Sequence, residues 1–458
     1  MFLRSRAYLK ASRSADPLSK FKKIWASLNW LPAECQSGSS CTLKDRPVSS
    51  RLVIRDLQRQ PIKIAIVIGT RPEIIKMAPI VHECVRLKLN FILIHSGQHY
   101  SRNMSEGFLR GLDYPPVDYH LKVGSGSHAE ETGRGLIRIE QVLRLERPNV
   151  VLVQGDTNTV LSGALAAAKL GVPVGHVEAG LRSFDETMPE EINRKVADHV
   201  STFLFAPTET ARLNLLHEGM KASRIFVTGN TIVDAVDQQL HRRVKIRETR
   251  TQRKKDQPRG YFLVTIHRQE NVDDDQRFRE IMKGLGLLRR QFGRDIIYPM
   301  HPRARKQMQK LGLRLGRIDI ANPLNYNEFI DLERNATLII TDSGGVQEEA
   351  CILRVPCVTI RNSTERPETV EVGSNILADS NSDDIIAKAT NMLSRRRSWS
   401  NPFGDGKAAV RILDVLRHNY LESSGNPAED PFLQDGFVRP SFDGKPEAAH
   451  QGLRVEPL

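Results

Sequence analysis

Short apolar runs rich in Val, Ile, Leu and Phe recur along the chain, each followed by a stretch of helical spacing. IKIAIVI, NFILIHS, VVLVQGD, VPVGHVE, TFLFAP and RIFVTG form a first series. A polar, basic stretch over 241–259 interrupts it, and YFLVTIH, DIIYPMH, RIDIAN, TLIITD and PCVTIR then form a second. Strand-like runs that alternate with helical patterns are the mark of parallel sheets flanked by helices. The expected fold class is therefore α/β, with two doubly wound Rossmann-like domains facing a cleft. The expected limits are 61–237 for the first domain, 238–260 for a linker and 261–422 for the second, whose last helix packs back on the first.

Length agrees with this division, because 458 residues exceed what one hydrophobic core normally serves. The two tails break the pattern. Residues 1–60 are Ser- and Arg-rich, with twelve Lys and Arg against four Asp and Glu. Residues 423–458 are rich in Pro, Gly and Asp. Both tails are expected to be disordered extensions.

The net charge of +13 invites a nucleic-acid reading, yet +8 of it belongs to residues 1–60 and no aromatic-interleaved binding module accompanies it. No nucleic-acid partner is expected. No apolar run reaches membrane-spanning length, so no stable membrane insertion is expected and the body is assigned to the cytoplasm. Five scattered cysteines without a CxxC spacing suggest reduced thiols, neither a disulfide framework nor a zinc ribbon.

In doubly wound sheets ligands bind beyond the carboxyl ends of the strands. Those ends read GTRPE, SGQHY, QGDTNT, HVEAG, TIHRQE, PMHPR and TDSGGVQEE here. In the last of them, Ser343, Gly344 and Gly345 open a helix after a strand, where small residues let backbone N–H groups approach a diphosphate. A plain glycine turn with serine as helix cap fits the same letters. Arg71, beside Pro72 at a helix start, and Lys76 on nearly the same face make a second anion site or a pair of solvated charges.

Asp156, Glu178 and Glu190 are carboxylates at or after strand ends, which makes them candidate general bases with raised pKa. Ion pairing with Arg182 or Arg194 is the competing reading. His267, at a strand end of the second domain, is a candidate acid or phosphate donor, or a structural histidine. GSGSHAEETG at 124–133 lacks the third glycine of a dinucleotide loop, and there is no GxxxxGK[ST] motif, so neither NAD nor an NTPase site is expected. His176, His267 and His301 have no HxH or HExxH spacing, and no metal or other cofactor is expected.

Ten segments in order, GTRPEIIKMAPI, SGQHY, QGDTNT, GHVEAGLRSF, MPEEINR, APTE, TGNTIVDA, TIHRQENVD, TDSGGVQEEA and TERPE, resemble the non-hydrolysing UDP-N-acetylglucosamine 2-epimerase family over about 61–420. The resemblance implies a glycosyltransferase-B-like pair of domains with UDP in the cleft, a UDP-sugar substrate and a homodimer. By motif it implies that Arg71, Lys76, Ser343, Gly344, Gly345, Glu349 and Arg366 hold UDP with Phe329 near the uracil. It further implies that Asp156, Glu178, Glu190 and His267 form the catalytic group. The implied chemistry is inversion at C2 by loss and return of UDP through a 2-acetamidoglucal. Ile266, Tyr100 and Leu324 depart from the best-known bacterial branch, so that branch's activation by substrate is not implied.

Overall fold

The computed structural model describes residues 62–97, 108–249, 260–313, 318–321 and 324–423. The two tails and the Gln98-His99-Tyr100 part of SGQHY lie outside them. The first sheet contains β1 (Lys63–Ile68), β2 (Asn90–His95), β3 (Tyr119–His120), β4 (Val150–Gln154), β5 (Val174–Val177), β6 (Phe203–Ala206) and β7 (Ile225–Val227). The second contains β8 (Phe262–Thr265), β9 (Ile296–Pro299), β10 (Ile318–Ala321), β11 (Leu338–Thr341), β12 (Cys357–Ile360) and β13 (Asn375–Ala378). All eleven runs picked out by apolar pattern are strands. The pattern passed over β3, two residues long, and β13, the short NILA run.

Every strand pairing is parallel. The orders are β3-β2-β1-β4-β5-β6-β7 and β10-β9-β8-β11-β12-β13. Each sheet therefore reverses its winding once, between β1 and β4 and between β8 and β11. A crevice opens beyond the carboxyl ends at such a reversal, because the helices leaving the two strands go to opposite faces. The residues that follow these four strands are Gly69 to Arg71, Gly155 and Asp156, Ile266 and His267, and Asp342 and Ser343.

Local chemistry sets the turns that open on these crevices. Gly69 follows β1 where a Cβ would lie 2.2 Å from Ser96 Oγ and 2.3 Å from Thr159 Oγ1, so any other residue must displace those hydroxyls. The helix Arg71–Arg86 starts with Pro72 in its first turn, where a missing N–H costs nothing, and Glu73 complements the helix dipole. The segment 124–133, which looks like a dinucleotide loop, is a helix start: Ser127 and Glu130 form a capping box for His128–Glu146.

Apolar packing joins the two sheets' surroundings. Ile64, Ile66 and Ile68 of β1 share one buried cluster with Ile74 and Met77, and that cluster extends to Tyr326, Ile330 and Cys351 from the second half. The closing helix Ala408–Ser423 returns to the first half, where Ile412, Leu413 and Leu416 enter the same core beside the helices Arg71–Arg86 and Thr231–Thr249. The helix Thr231–Thr249 itself runs through 238–249, the first part of the segment read as a linker. It contains no Gly or Pro to stop it, and Ile232, Val233 and Val236 anchor its start in the core. Among the described residues no helix is long and apolar enough to cross a membrane.

Candidate active site

A cavity of about 290 Å³ lies beyond the carboxyl ends of the strands. Its lining includes Arg71, Lys76 and Ile232 from the first half and His267, Phe329, Ser343, Gly345 and Glu349 from the second. Seven of the twelve residues singled out in the sequence thus meet in one place. Arg71 lies over the Phe108 ring, 4.2 Å from its centroid, and 5.9 Å from that of Phe329, so the cation has an aromatic face to rest on.

The helix Gly344–Ile352 starts at this cavity. Ser343 occupies its cap position without a side-chain capping bond, which leaves the hydroxyl as well as the first-turn N–H groups for another acceptor. Gly344 is enforced from behind: a Cβ there would sit 2.4 Å from Glu365 Oε1. At Gly345 the nearest atom to such a Cβ is 4.0 Å away, so the backbone itself is open to the cavity.

Lys76 connects the cavity to a buried charge cluster. Its Nζ lies 2.7 Å from Glu178 Oε1 and 2.8 Å from Glu348 Oε2, and Arg366 pairs with the same two acids. Two cations and two anions are thus interleaved, each partnering both of its opposites, across the two halves of the chain. Burial alone would push the Glu178 carboxyl up, but Lys76 and Arg366 outweigh it and hold Glu178 below the ordinary carboxylate range. The raised value expected for a free general base is therefore not what Glu178 has; the sequence could not reveal cations 102 and 188 positions away. Its backbone is also unusual, with φ of +73° in a non-glycine residue.

Asp156 follows β4 and pairs with Arg194, whose other nitrogen lies 2.6 Å from Glu191 Oε2. The ion pairing weighed as the alternative for these acids is thus present at Asp156. Of the two acids in MPEEINR, Glu191 is the buried one; it binds the Ser183 and Phe184 backbone N–H groups as well as Arg194. Glu190, half-buried on the helix Pro189–Val200, makes none of these contacts. His176 is structural: Nδ1 lies 2.6 Å from Asp198 Oδ1 and Nε2 2.8 Å from the Gly155 carbonyl, which fixes the loop before Asp156.

His267 is 45% exposed, with Nδ1 2.9 Å from Asp342 Oδ1. Asp342, wholly buried, also accepts the backbone N–H groups of His267 and Arg268 and the Asn271 amide. It orients the imidazole so that Nε2 is left for a ligand. Asp342 and Glu348 were not assigned roles in the sequence, and Arg194 was weighed there only as an ion-pair partner. Both acids had a signal in the TDSGGVQEE strand end, Asp342 directly after the strand and Glu348 one turn into the helix. Among the described residues no group of His, Cys, Asp and Glu is arranged to hold a metal.

Two parallel Rossmann-like domains with cations, a free helix start and carboxylates at their strand ends define an α/β nucleotide-sugar enzyme of glycosyltransferase-B-like architecture. The profile of the UDP-N-acetylglucosamine 2-epimerase family matches residues 83–417. The chain belongs to that family, whose members are isomerases. A UDP-N-acetylglucosamine 2-epimerase of Methanocaldococcus jannaschii is 50% identical over 371 residues, 78% of this chain and 99% of that relative. A UDP-2,3-diacetamido-2,3-dideoxy-D-glucuronate 2-epimerase of Pseudomonas aeruginosa is 40% identical over 358 residues, 77% of this chain and 99% of that relative. The crystal structure of the M. jannaschii UDP-GlcNAc 2-epimerase in complex with UDP-GlcNAc and UDP has a TM-score of 0.73 to this structure, covering 78% of this chain and 100% of that one.

Proposed function

We propose that this enzyme interconverts UDP-GlcNAc and UDP-ManNAc without net hydrolysis, by eliminating UDP and adding it back. The C2 hydrogen is not adjacent to a carbonyl and is weakly acidic, so its removal must be coupled to departure of the C1 substituent. A carboxylate takes the C2 proton, the C1–O bond breaks with its electron pair going to UDP, and 2-acetamidoglucal remains. In the return step UDP oxygen re-forms the C1 bond while C2 receives a proton on the opposite face. Nothing is oxidised or reduced overall.

The observation that carries this reading is the interleaved cluster of Lys76, Glu178, Glu348 and Arg366 at the edge of the cavity. A diphosphate arriving there competes for Lys76 and Arg366. Whatever share it takes is withdrawn from Glu178, whose pKa then rises toward the range useful in proton transfer. Binding of the leaving group thus prepares the acid that acts on C2. Asp156 is assigned as the partner base or acid, with Glu190 and His267 completing the catalytic group. His267 and the Gly344 helix start would stabilise charge growing on the departing oxygen. Arg71, Ser343, Gly345 and Glu349 hold the rest of UDP, with Phe329 beside the uracil. The domains are taken as 61–237 and 261–422, closing on the substrate as one homodimer subunit.

The diacetamido-uronate relative makes another UDP-2-acetamido sugar the second reading, since its identity is only ten points lower. The test is a proton NMR time course with UDP-GlcNAc in deuterated water. UDP-ManNAc should appear, with deuterium at C2 of both sugars. Accumulation of free UDP and free sugar would replace the reading by a hydrolysing one, and absence of C2 exchange would refute it for this substrate.

A further inference from the structure

Glu349, one of the residues assigned to UDP, is backed by an acid that the proposed reaction does not use. Glu349 lines the cavity and is buried. Behind it, on the helix Tyr326–Asn335, Glu333 is wholly buried, and no N–H or O–H donor reaches either of its carboxyl oxygens. Its hydrogen-bonding neighbour is the Glu349 carboxyl group. Two carboxylates only accept, so they bond to each other only when one of them carries a proton. An ionised carboxylate in the interior without a donor is also strongly disfavoured.

The charge count leads to the same place. Arg71 is the cation that interacts with this pair. The other titratable neighbours are Tyr326 on the same helix, Tyr261 before β8, Cys357 on β12 and Glu348 one position before Glu349. Burial pushes both phenols and the thiol upward, so all three are neutral. Glu348 is already matched by Lys76 and Arg366. One cation facing two acids balances when one acid is ionised and the other is not.

We propose that Glu333 is a neutral carboxylic acid that donates its proton to the Glu349 carboxylate, and is thereby a positioning residue that keeps Glu349 ionised and aimed into the cavity. The proposal rests on the reading that Glu349 holds UDP, and specifies the contact: an ionised carboxylate there accepts from the ribose hydroxyls. Burial pushes Glu349 up to about 7, with the Glu333 and Tyr326 contacts opposing the rise, and it pushes Glu333 well above the carboxylate range. As pH falls through about 7 Glu349 gains its own proton and ceases to be an anionic acceptor. Nucleotide affinity therefore falls with falling pH, by up to tenfold per unit below the midpoint.

The test uses the full chain and four proteins: wild type, Glu333→Gln, Glu333→Leu and Glu349→Gln. Affinity for UDP, and for uridine, which has the ribose but no titrating phosphate, is measured by calorimetry from pH 6 to 9. Glu333→Gln keeps a neutral donor, so its affinity should stay within about twofold of wild type with the same midpoint. Glu333→Leu removes the donor, so the midpoint should move up by about one unit and UDP affinity at neutral pH should fall roughly tenfold. A midpoint in Glu333→Gln lowered by a unit or more would mean that Glu333 carries a charge, and would overturn the proposal. So would an unchanged midpoint in Glu333→Leu. Wild-type affinity in Glu349→Gln would instead remove the ribose reading. Infrared difference spectra of wild type minus Glu333→Gln judge the proton directly, and also decide the matter if Glu333→Leu does not fold. The carbonyl band of a protonated carboxylic acid should be present; its absence overturns the proposal.

Discussion

Replacing Arg366 with alanine puts the interleaved cluster under a measurable charge imbalance. Lys76, Glu178, Glu348 and Arg366 sum to zero and are all buried. Arg366→Ala leaves two acids and one cation in the same volume. Removing one partner of a buried ion pair costs about 3–5 kcal/mol, and because Lys76 stays in contact with both acids the loss should fall inside that range instead of doubling. At roughly 2–4 °C per kcal/mol, the melting temperature should drop by about 6–20 °C. Adding Glu348→Gln restores neutrality around the Lys76–Glu178 pair and should recover about 1–3 kcal/mol of the summed single losses. The assay is thermal unfolding of the four members of this cycle by circular dichroism at pH 6 and pH 8, without ligand. The pH arm has a definite sign. In Arg366→Ala the unmatched acid has a folded-state pKa above its unfolded value, so its contribution is present at low pH and lost as pH rises through the folded pKa. The deficit should therefore be smaller at pH 6 than at pH 8. In the wild type Glu178 is depressed, so its contribution is intact at both pH values and is lost only as pH falls below the carboxylate range. Strictly additive losses across the cycle, or a deficit that grows at pH 6, would refute the reasoning.

Asp156→Asn removes a proton acceptor while keeping shape, and should lower kcat by about two to four orders of magnitude with UDP affinity little changed. C2 hydrogen exchange at the wild-type rate in that variant would move the base to another acid. Glu73, wholly buried between the Thr70 and Thr157 hydroxyls, is pushed up to about 7 by burial, so wild-type stability should fall by about 3 kcal/mol from this group as pH rises from about 4.5 to about 7, and stay level in this term above that. Glu73→Gln keeps an acceptor for the hydroxyls and should flatten that part of the pH–stability curve; an unaltered slope by denaturant unfolding counts against the assignment. Gly69→Ala forces a methyl against Ser96 Oγ and Thr159 Oγ1 and should cost about 1–3 kcal/mol, read as a lower denaturant midpoint at unchanged slope.

The strands were legible because a buried parallel strand must be apolar along its length and a turn must follow it, and both are local properties. β3 and β13 escaped because two residues, or four beginning with Asn, leave no such run. Residues at strand ends were legible for the same reason: winding reversal brings the ends of β1, β4, β8 and β11 to the crevice whatever else the chain does. What a side chain meets there is decided at long range. Nothing near Glu178 in sequence announces Lys76 or Arg366, and so its pKa was expected in the wrong direction. Glu191 and Glu190 are neighbours on one helix, and the loop N–H groups of Ser183 and Phe184, together with Arg194 one turn along, distinguish them. Glu333 sits in an ordinary amphipathic helix, where its burial reads as a surface acid until the fold turns it inward.

The return of the helix Ala408–Ser423 to the first half also governs when that half can finish folding. Its strands are complete by Val227, yet Ile412, Leu413 and Leu416 belong to the core that β1 and the helix Arg71–Arg86 build. Roughly 180 residues separate the two contributions, and at about 5–20 residues per second their synthesis takes about 10–40 s. During that interval the nascent first half displays an apolar face that its own segment cannot cover. Ribosome-associated holding factors should engage the chain in this window, and a stop codon anywhere between 228 and 408 should leave a fragment that aggregates, even though it contains every strand of the first sheet.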